Sequence, residues 1–218
     1  MPEPLTIVGV CGGTAAVFIQ LARRYFDQAK EVADVILGFL ALLAALPLLA
    51  FCALVIKLSS RGPVFYTQVR VGLQGQLFRM YKLRTMYVDA EAAHGARWAA
   101  KDDPRVVPIC RWMRRSHVDE LPQLINVIKG EMSLVGPRPE RPEILADLEK
   151  AYPEVHRRLE VRPGITGLAQ VRSGYDTTIE AFRRKLQADL EYIERRRWGT
   201  ELRILAATLG KFNDKTAR

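Results

Sequence analysis

Apolar residues dominate two stretches near the start of the chain. The longer, residues 35–58, reads VILGFLALLAALPLLAFCALVIKL. As a helix it would extend about 36 Å, enough to cross a hydrocarbon core of about 30 Å. Pro47 lies at its centre and removes one helical hydrogen bond, which favours a kink or a break. Two interpretations are open: a kinked transmembrane span, or a helix broken at Pro47 that enters and leaves on one face.

The shorter apolar stretch, residues 5–22, helps to choose between them. It has three glycines and only 18 residues, so it would span a membrane marginally. If both stretches crossed, the linker with Arg23, Arg24 and Lys30 would lie outside, against the positive-inside tendency. The re-entrant interpretation is therefore favoured. It divides the chain into an N-terminal apolar anchor segment (1–29), a re-entrant membrane helix (30–58) and a body (59–218).

The body alternates short strand patterns with helical ones. Residues 64–71 and 77–83 have strand composition around a glycine-containing turn, which predicts a hairpin. Apolar spacing predicts helices at 86–100, 143–152, 178–197 and 202–212. The 178–197 helix is amphipathic, and its apolar side faces either the core or anionic lipid. The predicted fold is α/β and mostly helical: one membrane-seated domain with amphipathic interfacial helices.

One segment of the body places two carboxylates at a predicted helix start. Asp119 fits an N-cap and Pro122 the first turn. Apolar residues follow at helical spacing, and Gly130 occupies the C′ position. Many ordinary helices begin this way. A helix start also binds phosphate, and ionised Asp119 and Glu120 can meet a phosphate only where nearby cations cancel the repulsion.

The distribution of charge indicates which classes of partner the chain is suited to bind. The formal net charge is +9, and residues 1–58 contain four basic and four acidic residues, so the excess lies in the body. This favours an anionic partner: phosphate groups, a membrane surface or nucleic acid. Three scattered cysteines and three scattered histidines indicate neither a disulfide framework nor a zinc site. Neither GxxxxGK[ST] nor GxGxxG occurs, so ATP hydrolysis and dinucleotide redox chemistry are not indicated.

Residues 119–139, DELPQLINVIKGEMSLVGPRP, resemble the signature of the bacterial sugar transferase family, the monotopic phosphoglycosyl transferases. The resemblance continues through residues 62–72, 81–86, 103–105 and 161–170, and spans about 30–212. Two positions depart from the family pattern. Lys30-Glu31 stands where the family usually has Lys-Arg, and Leu46 stands where Ser often precedes the break proline.

The resemblance implies transfer of a phosphosugar from a UDP-sugar to a polyprenyl phosphate, usually undecaprenyl phosphate, with release of UMP. Asp119 would be the nucleophile, forming an aspartyl phosphosugar in a ping-pong mechanism. Glu120 would bind Mg²⁺ or assist the incoming phosphate. Near the phosphates we expect a set of cations: Arg138, Lys82, Arg84, Arg105, Arg114 and Arg115. Arg138 lies between two prolines that restrict its backbone, and Lys82 and Arg84 alternate on the second strand, so both should face one side.

The resemblance also implies a location and partners. The catalytic domain would lie on the cytoplasmic face of a bacterial inner membrane, at the first membrane step of exopolysaccharide, O-antigen or glycoconjugate assembly. Anionic phospholipid is an expected partner, nucleic acid is not, and a homodimer is left open. The alternative is a membrane-anchored, non-catalytic basic module, or a tether for glycan-assembly enzymes. It explains the charge and the anchor but leaves the DELPQ and GPRP motifs unexplained.

Overall fold

The computed structural model describes residues 10–88, 90, 103–172 and 179–213, and these are mostly helical. The predicted helix at 86–100 falls largely outside this part of the chain. Short 3₁₀ segments occupy Leu73–Gly75, Pro108–Cys110, Val118–Gln123 and Pro153–Glu160. The helices and strands are α1 (Val10–Ser59), β1 (Phe65–Val71), β2 (Leu77–Leu83), α2 (Arg111–Arg115), α3 (Leu124–Ile128), β3 (Ser133–Val135), α4 (Pro142–Ala151), β4 (Gly164–Thr166), α5 (Leu168–Arg172), α6 (Ile179–Arg195) and α7 (Trp198–Asn213).

The first helix is continuous. It runs through Pro47, so the predicted break into two helices is not seen. The predicted linker around Arg23 and Lys30 is helical too, and α1 crosses the predicted segment boundary at residue 30. A proline removes one N–H from the ladder, and the bonds of the turns on either side can hold the helix together. Within the described residues, Gln20–Ser59 is the one helix long and apolar enough to cross a membrane.

The apolar half of α1 packs on the body along one side. Cys52 and Ile56 are fully buried in a cluster with Leu83, Val107 and Met113. Nearer its middle, Gly38 lies so close to Val127 that an added Cβ would be 3.1 Å from its Cγ1. The other sides carry exposed apolar residues: Ile36, Leu37, Phe39, Leu40, Leu43, Leu46, Leu48, Phe51, Leu54 and Leu58. An exposed apolar surface of this length is typical of contact with lipid.

Polar contacts attach α1 to the body near both ends of this apolar stretch. Lys30 Nζ lies 2.8 Å from Glu201 Oε2 of α7, and Ser133 Oγ donates to Asp34 Oδ2 at 2.6 Å. At the other end, Arg84 donates to the carbonyls of Ser60 and Arg61. Thirty residues of helix separate Lys30 from Ser60, about 45 Å. The body therefore lies alongside the helix rather than at one end of it.

The predicted hairpin is confirmed. Strands β1 and β2 pair antiparallel from Phe65↔Leu83 to Val71↔Leu77. Alternation along β2 directs Phe78 and Met80 into a cluster with α3, and Lys82 follows on the same face. Strands β3 and β4 form a separate parallel pair, with Ser133 opposite Gly164.

Helix α6 is a core helix. Phe182 and Leu186 are buried against Leu145 and Leu148 of α4, whose predicted extent is also confirmed. Of the two interpretations for the apolar side of α6, the structure favours the core. Helix α7 leaves Leu202 and Leu209 exposed, and its contact with lipid stays a prediction.

Candidate active site

A tight turn, rather than a helix N-cap, presents the two adjacent carboxylates. His117 adopts a left-handed conformation (φ 55°) and starts the 3₁₀ turn Val118–Gln123. The Glu120 N–H donates to the His117 carbonyl at 3.0 Å. The prediction of Asp119 as N-cap is therefore wrong, because the chain reverses two residues earlier. Gly130 does take the predicted position after α3, with φ 72°.

Helix α3 is fixed to the hairpin by one fully buried side chain. Asn126 Nδ2 donates to the Arg79 carbonyl at 2.8 Å and to Glu131 Oε2 at 2.7 Å, while its Oδ1 accepts from the Tyr81 N–H at 3.1 Å. The amide thus bridges β2 and the end of α3. This holds the carboxylate turn over the strand that carries Lys82.

Glu120 is bound by two cations. Lys82 Nζ and Arg138 Nη2 lie 2.7 and 2.6 Å from its Oε1, and Arg138 Nη1 donates to Oε2 at 3.1 Å. Burial by itself would raise the pKa of Glu120. The charges and hydrogen bonds of Arg138 and Lys82 outweigh burial and hold this pKa well below its usual value. Glu120 is therefore a fixed anion.

Asp119 is in a different environment although it is the neighbouring residue. It is only 7% exposed, and burial and neighbouring charges, rather than hydrogen bonds, determine the shift of its pKa. Burial and the charge of Glu120 raise the pKa of Asp119 to about 6, against the opposing charges of Lys82, Arg114 and Arg138. Two adjacent carboxylates thus have pKa values displaced in opposite directions, an arrangement typical of catalytic pairs.

The predicted cations divide into two groups. Lys82, Arg114 and Arg138 surround the carboxylates, and Arg114 also donates to Thr85 Oγ1 at 3.4 Å. The other three have different contacts or surroundings. Arg84 points away from Lys82, to the end of α1, because β2 ends at Leu83 and the alternation stops. Arg105 pairs with Asp103 (Nε to Oδ1, 2.8 Å), and Arg115 is exposed at the end of α2.

The loop that carries Arg138 is tied to the core. The Gly136 N–H donates to the Thr166 carbonyl at 2.8 Å, and the Gly164 N–H to the Pro137 carbonyl at 2.9 Å. Arg70 Nη1 donates to the Pro139 carbonyl at 2.9 Å. These bonds fix the backbone on both sides of Arg138.

Two further residues of this support were missed from the sequence. Arg158 Nη2 donates to the Arg138 carbonyl at 2.7 Å, and Arg158 Nε to Asp189 Oδ2 at 2.8 Å. A signal was present, because Asp189 falls on the apolar side of α6 with Phe182, Leu186 and Ile193. A lone acid on a buried helical face indicates a buried partner.

Comparisons with known proteins identify a family. The family described as bacterial sugar transferase matches residues 25–215. The chain is 46% identical over 189 residues to an undecaprenyl-phosphate glucose phosphotransferase of Komagataeibacter xylinus, covering 84% of this chain and 34% of that protein. It is 42% identical over 193 residues to a UDP-glucose:undecaprenyl-phosphate glucose-1-phosphate transferase of Caulobacter vibrioides, covering 87% and 71%.

A relative with another donor sugar is similarly close. The chain is 41% identical over 165 residues to a UDP-N-acetylgalactosamine-undecaprenyl-phosphate N-acetylgalactosaminephosphotransferase of Aeromonas hydrophila. That match covers 76% of this chain and 39% of the relative. The chain thus spans well under half the length of some of the curated relatives it matches.

Proposed function

Because this chain belongs to the bacterial sugar transferase family, we propose that it transfers a sugar 1-phosphate from a UDP-sugar to undecaprenyl phosphate and releases UMP. The observation that carries the proposal is the contrast between the two carboxylates. Glu120 is hydrogen-bonded by Lys82 and Arg138, whereas the shift of the Asp119 pKa comes from burial and neighbouring charges and not from hydrogen bonds. A carboxylate that is buried and near cations has lone pairs available for a phosphorus atom.

Asp119 is the nucleophile of the proposed reaction. One of its oxygens bonds to the phosphorus that bears the sugar, and the bond from that phosphorus to the UMP oxygen breaks, so UMP leaves with the electron pair. An oxygen of undecaprenyl phosphate then attacks the same phosphorus and the Asp119 carboxylate leaves. Lys82, Arg114 and Arg138 stabilise the negative charge on the phosphate oxygens during both displacements. Two displacements at one carboxylate predict ping-pong kinetics.

The residues present fit a Mg²⁺ ion that is bound together with substrate. Mg²⁺ usually takes one or two protein carboxylates plus substrate phosphates. Asp119 and Glu120 supply two carboxylates, and no cluster of three or more metal-ligating side chains occurs among the described residues. Glu120 is the ligand we propose. When bound, the ion would neutralise charge on the diphosphate. Lys82 and Arg138 already contact the Glu120 carboxylate, so this carboxylate would contact the two side chains and the ion together.

We also propose that the two ends of the apolar stretch of α1, near Lys30 and Ser60, lie on one side of the membrane, as in a re-entrant arrangement, although the helix runs unbroken through Pro47. The support is that the body contacts α1 at Lys30 and again at Ser60. The basic excess of the body favours the cytoplasmic face of the inner membrane and contact with anionic phospholipid. Cysteines placed at Arg23 and Arg61 should react alike with an impermeant maleimide added to intact cells. Opposite reactivity would contradict this arrangement in favour of a transmembrane span.

The reaction is tested with the purified full chain in nanodiscs. UMP release is followed with UDP-glucose and with UDP-N-acetylgalactosamine, with and without undecaprenyl phosphate, and with Mg²⁺ or EDTA. We expect turnover that requires lipid and metal with at least one donor, and a stoichiometric UMP burst without lipid. The control is Asp119→Asn. UMP release by this variant at the unchanged rate would refute the assignment and favour a tethering role for the chain.

A further inference from the structure

The short segment before the carboxylate turn has two apolar sides. Cys110 and Met113 face the core and are fully buried. The neighbouring residues Ile109 and Trp112 point outward, at 55% and 39% exposed. Both side chains stay partly exposed, although burial of their apolar surface would be favourable.

This exposed pair adjoins the exposed side of α1. The ring of Trp112 lies 6.5 Å from the ring of Phe51, centroid to centroid, and Phe51 is itself 56% exposed. Leu54, three residues on, shares the same side of the helix. We call Phe51, Leu54, Ile109 and Trp112 the apolar strip. It continues the lipid-exposed surface of α1 onto the body.

The strip leads to the carboxylates through a few residues of chain. Ser116 Oγ donates to the Trp112 carbonyl at 2.8 Å and ends α2, and His117 then turns the chain into the carboxylates. Arg114, on the same short helix, donates to Thr85 Oγ1 at 3.4 Å, and its charge is near enough to lower the pKa of Asp119. Arg111 and Arg115, on the same helix as Trp112, are exposed. An apolar surface is thus connected to a cationic site by one helix, α2.

We propose that the apolar strip binds the isoprenoid chain of the acceptor, a polyprenyl phosphate, and that Arg114 receives its phosphate. The inference rests on the proposed function and specifies where its second substrate enters. The acceptor combines a long hydrocarbon chain with a terminal phosphate. Its phosphate must reach phosphorus at Asp119 while its chain stays in an apolar environment. The strip and Arg114 supply these two environments in the required order.

The kinetic test uses Trp112→Ser and Ile109→Ser in the full chain. The matched control is Leu209→Ser. Leu209 is an exposed apolar side chain on α7, the helix that contacts α1 at Lys30. This contact lies far from the strip, because Lys30 is 22 residues along α1 from Cys52, which packs near α2, a distance of about 33 Å. We expect the KM for undecaprenyl phosphate to rise about tenfold in each strip variant, with the KM for the UDP-sugar donor within about twofold. A tenfold change corresponds to about 1.4 kcal/mol.

Three outcomes would overturn the inference. The KM for undecaprenyl phosphate could stay unchanged in both strip variants. Both substrates' KM values could rise together, which would indicate a distorted site. The Leu209→Ser control could show the same change, which would indicate general membrane contact rather than an acceptor site.

Photocrosslinking separates this inference from the proposed function, because it needs no turnover. A photoreactive polyprenyl phosphate should label peptides that contain Ile109 or Trp112, and undecaprenyl phosphate should suppress the labelling. Labelling without UMP release in any assay would contradict the proposed function and support the strip. Equal suppression by phosphatidylglycerol would identify a surface for bulk phospholipid and overturn the inference.

Discussion

Arg158 and Asp189 form a buried ion pair that supports the backbone of Arg138. Their side chains are 6% and 1% exposed, and the Nε to Oδ2 distance is 2.8 Å. The second guanidinium nitrogen of Arg158 donates to the Arg138 carbonyl. A residue of α6 is thereby connected, through one arginine, to the cation that holds Glu120.

Removing one partner of this pair should cost more than removing both. Arg158→Met leaves the Asp189 charge buried and unpaired, a cost of about 3–5 kcal/mol, whereas Arg158→Met with Asp189→Leu removes both members of the pair. In both variants Glu140, 3.9 Å from Arg158, keeps Arg70 as its partner. We expect the double variant to unfold at a higher temperature than the single one, and both to lose UMP release because Arg138 loses its support. Thermal unfolding in detergent measures the first effect. A double variant less stable than Arg158→Met would contradict it.

The close approach of two backbones should make Gly136 intolerant of a side chain. A Cβ at Gly136 would lie 2.8 Å from the backbone N of Gly164 and closer still to the carbonyl of Arg162. We expect Gly136→Ala to displace the Arg138 loop and reduce UMP release by about tenfold or more. Gly199→Ala is the control, since an added Cβ there meets nothing within 4 Å. It should leave the rate unchanged and stabilise α7 slightly. Equal rates for the two variants would show that the loop tolerates displacement.

Neutralising Asp119 and neutralising Glu120 should change the UMP burst in different ways. Asp119→Asn should abolish the UMP burst measured without lipid, because the nucleophile is gone. Glu120→Gln should retain a burst but slow it by about 100-fold, and raise the Mg²⁺ concentration needed for half-maximal rate. Rapid-quench measurement of UMP gives both values. A full burst from Asp119→Asn would require another nucleophile.

Asp119 should reduce stability at neutral pH in the absence of metal. Its folded pKa of about 6 exceeds its ordinary value of 3.8, so the folded state binds the proton more tightly. The stability that Asp119 contributes is therefore complete below pH 3.8 and is lost as the pH rises through 6. Asp119→Asn removes this dependence.

In EDTA, the variant should be more stable than the unchanged protein at pH 7.5 by up to about 3 kcal/mol. The difference should shrink toward pH 4.5. Thermal unfolding of both proteins at the two pH values measures it. A pH-independent difference would mean that Asp119 titrates as an ordinary carboxyl.

Local patterns predicted most elements of the fold, and long-range packing determined the rest. The hairpin and α4 follow from residues close in sequence, and both are confirmed. The direction of Arg84 is set by Ser60 and Arg61, more than twenty residues away, so strand alternation alone could not predict it. The continuity of α1 through Pro47 could not be read from proline's average behaviour either.

The residues of the candidate site also divide into those that the sequence predicted and those that it did not. Asp119, Glu120, Lys82 and Arg138 meet as expected, because three of them lie in one motif and the fourth on a predicted strand. The supporting pair of Arg158 and Asp189 joins segments 31 residues apart. The sequence signal for this pair was one acidic residue, Asp189, on the apolar side of α6.

The attachment of α1 near Lys30 and again at Ser60 has a mechanical consequence. A helix fixed to the body at two points about 45 Å apart cannot slide along its own axis or swing away without breaking buried polar contacts. The helix and the body therefore move as one rigid body. In a bilayer of different thickness the whole protein would sink, rise or tilt, while the spacing between the lipid-exposed side of α1 and the two carboxylates stays constant.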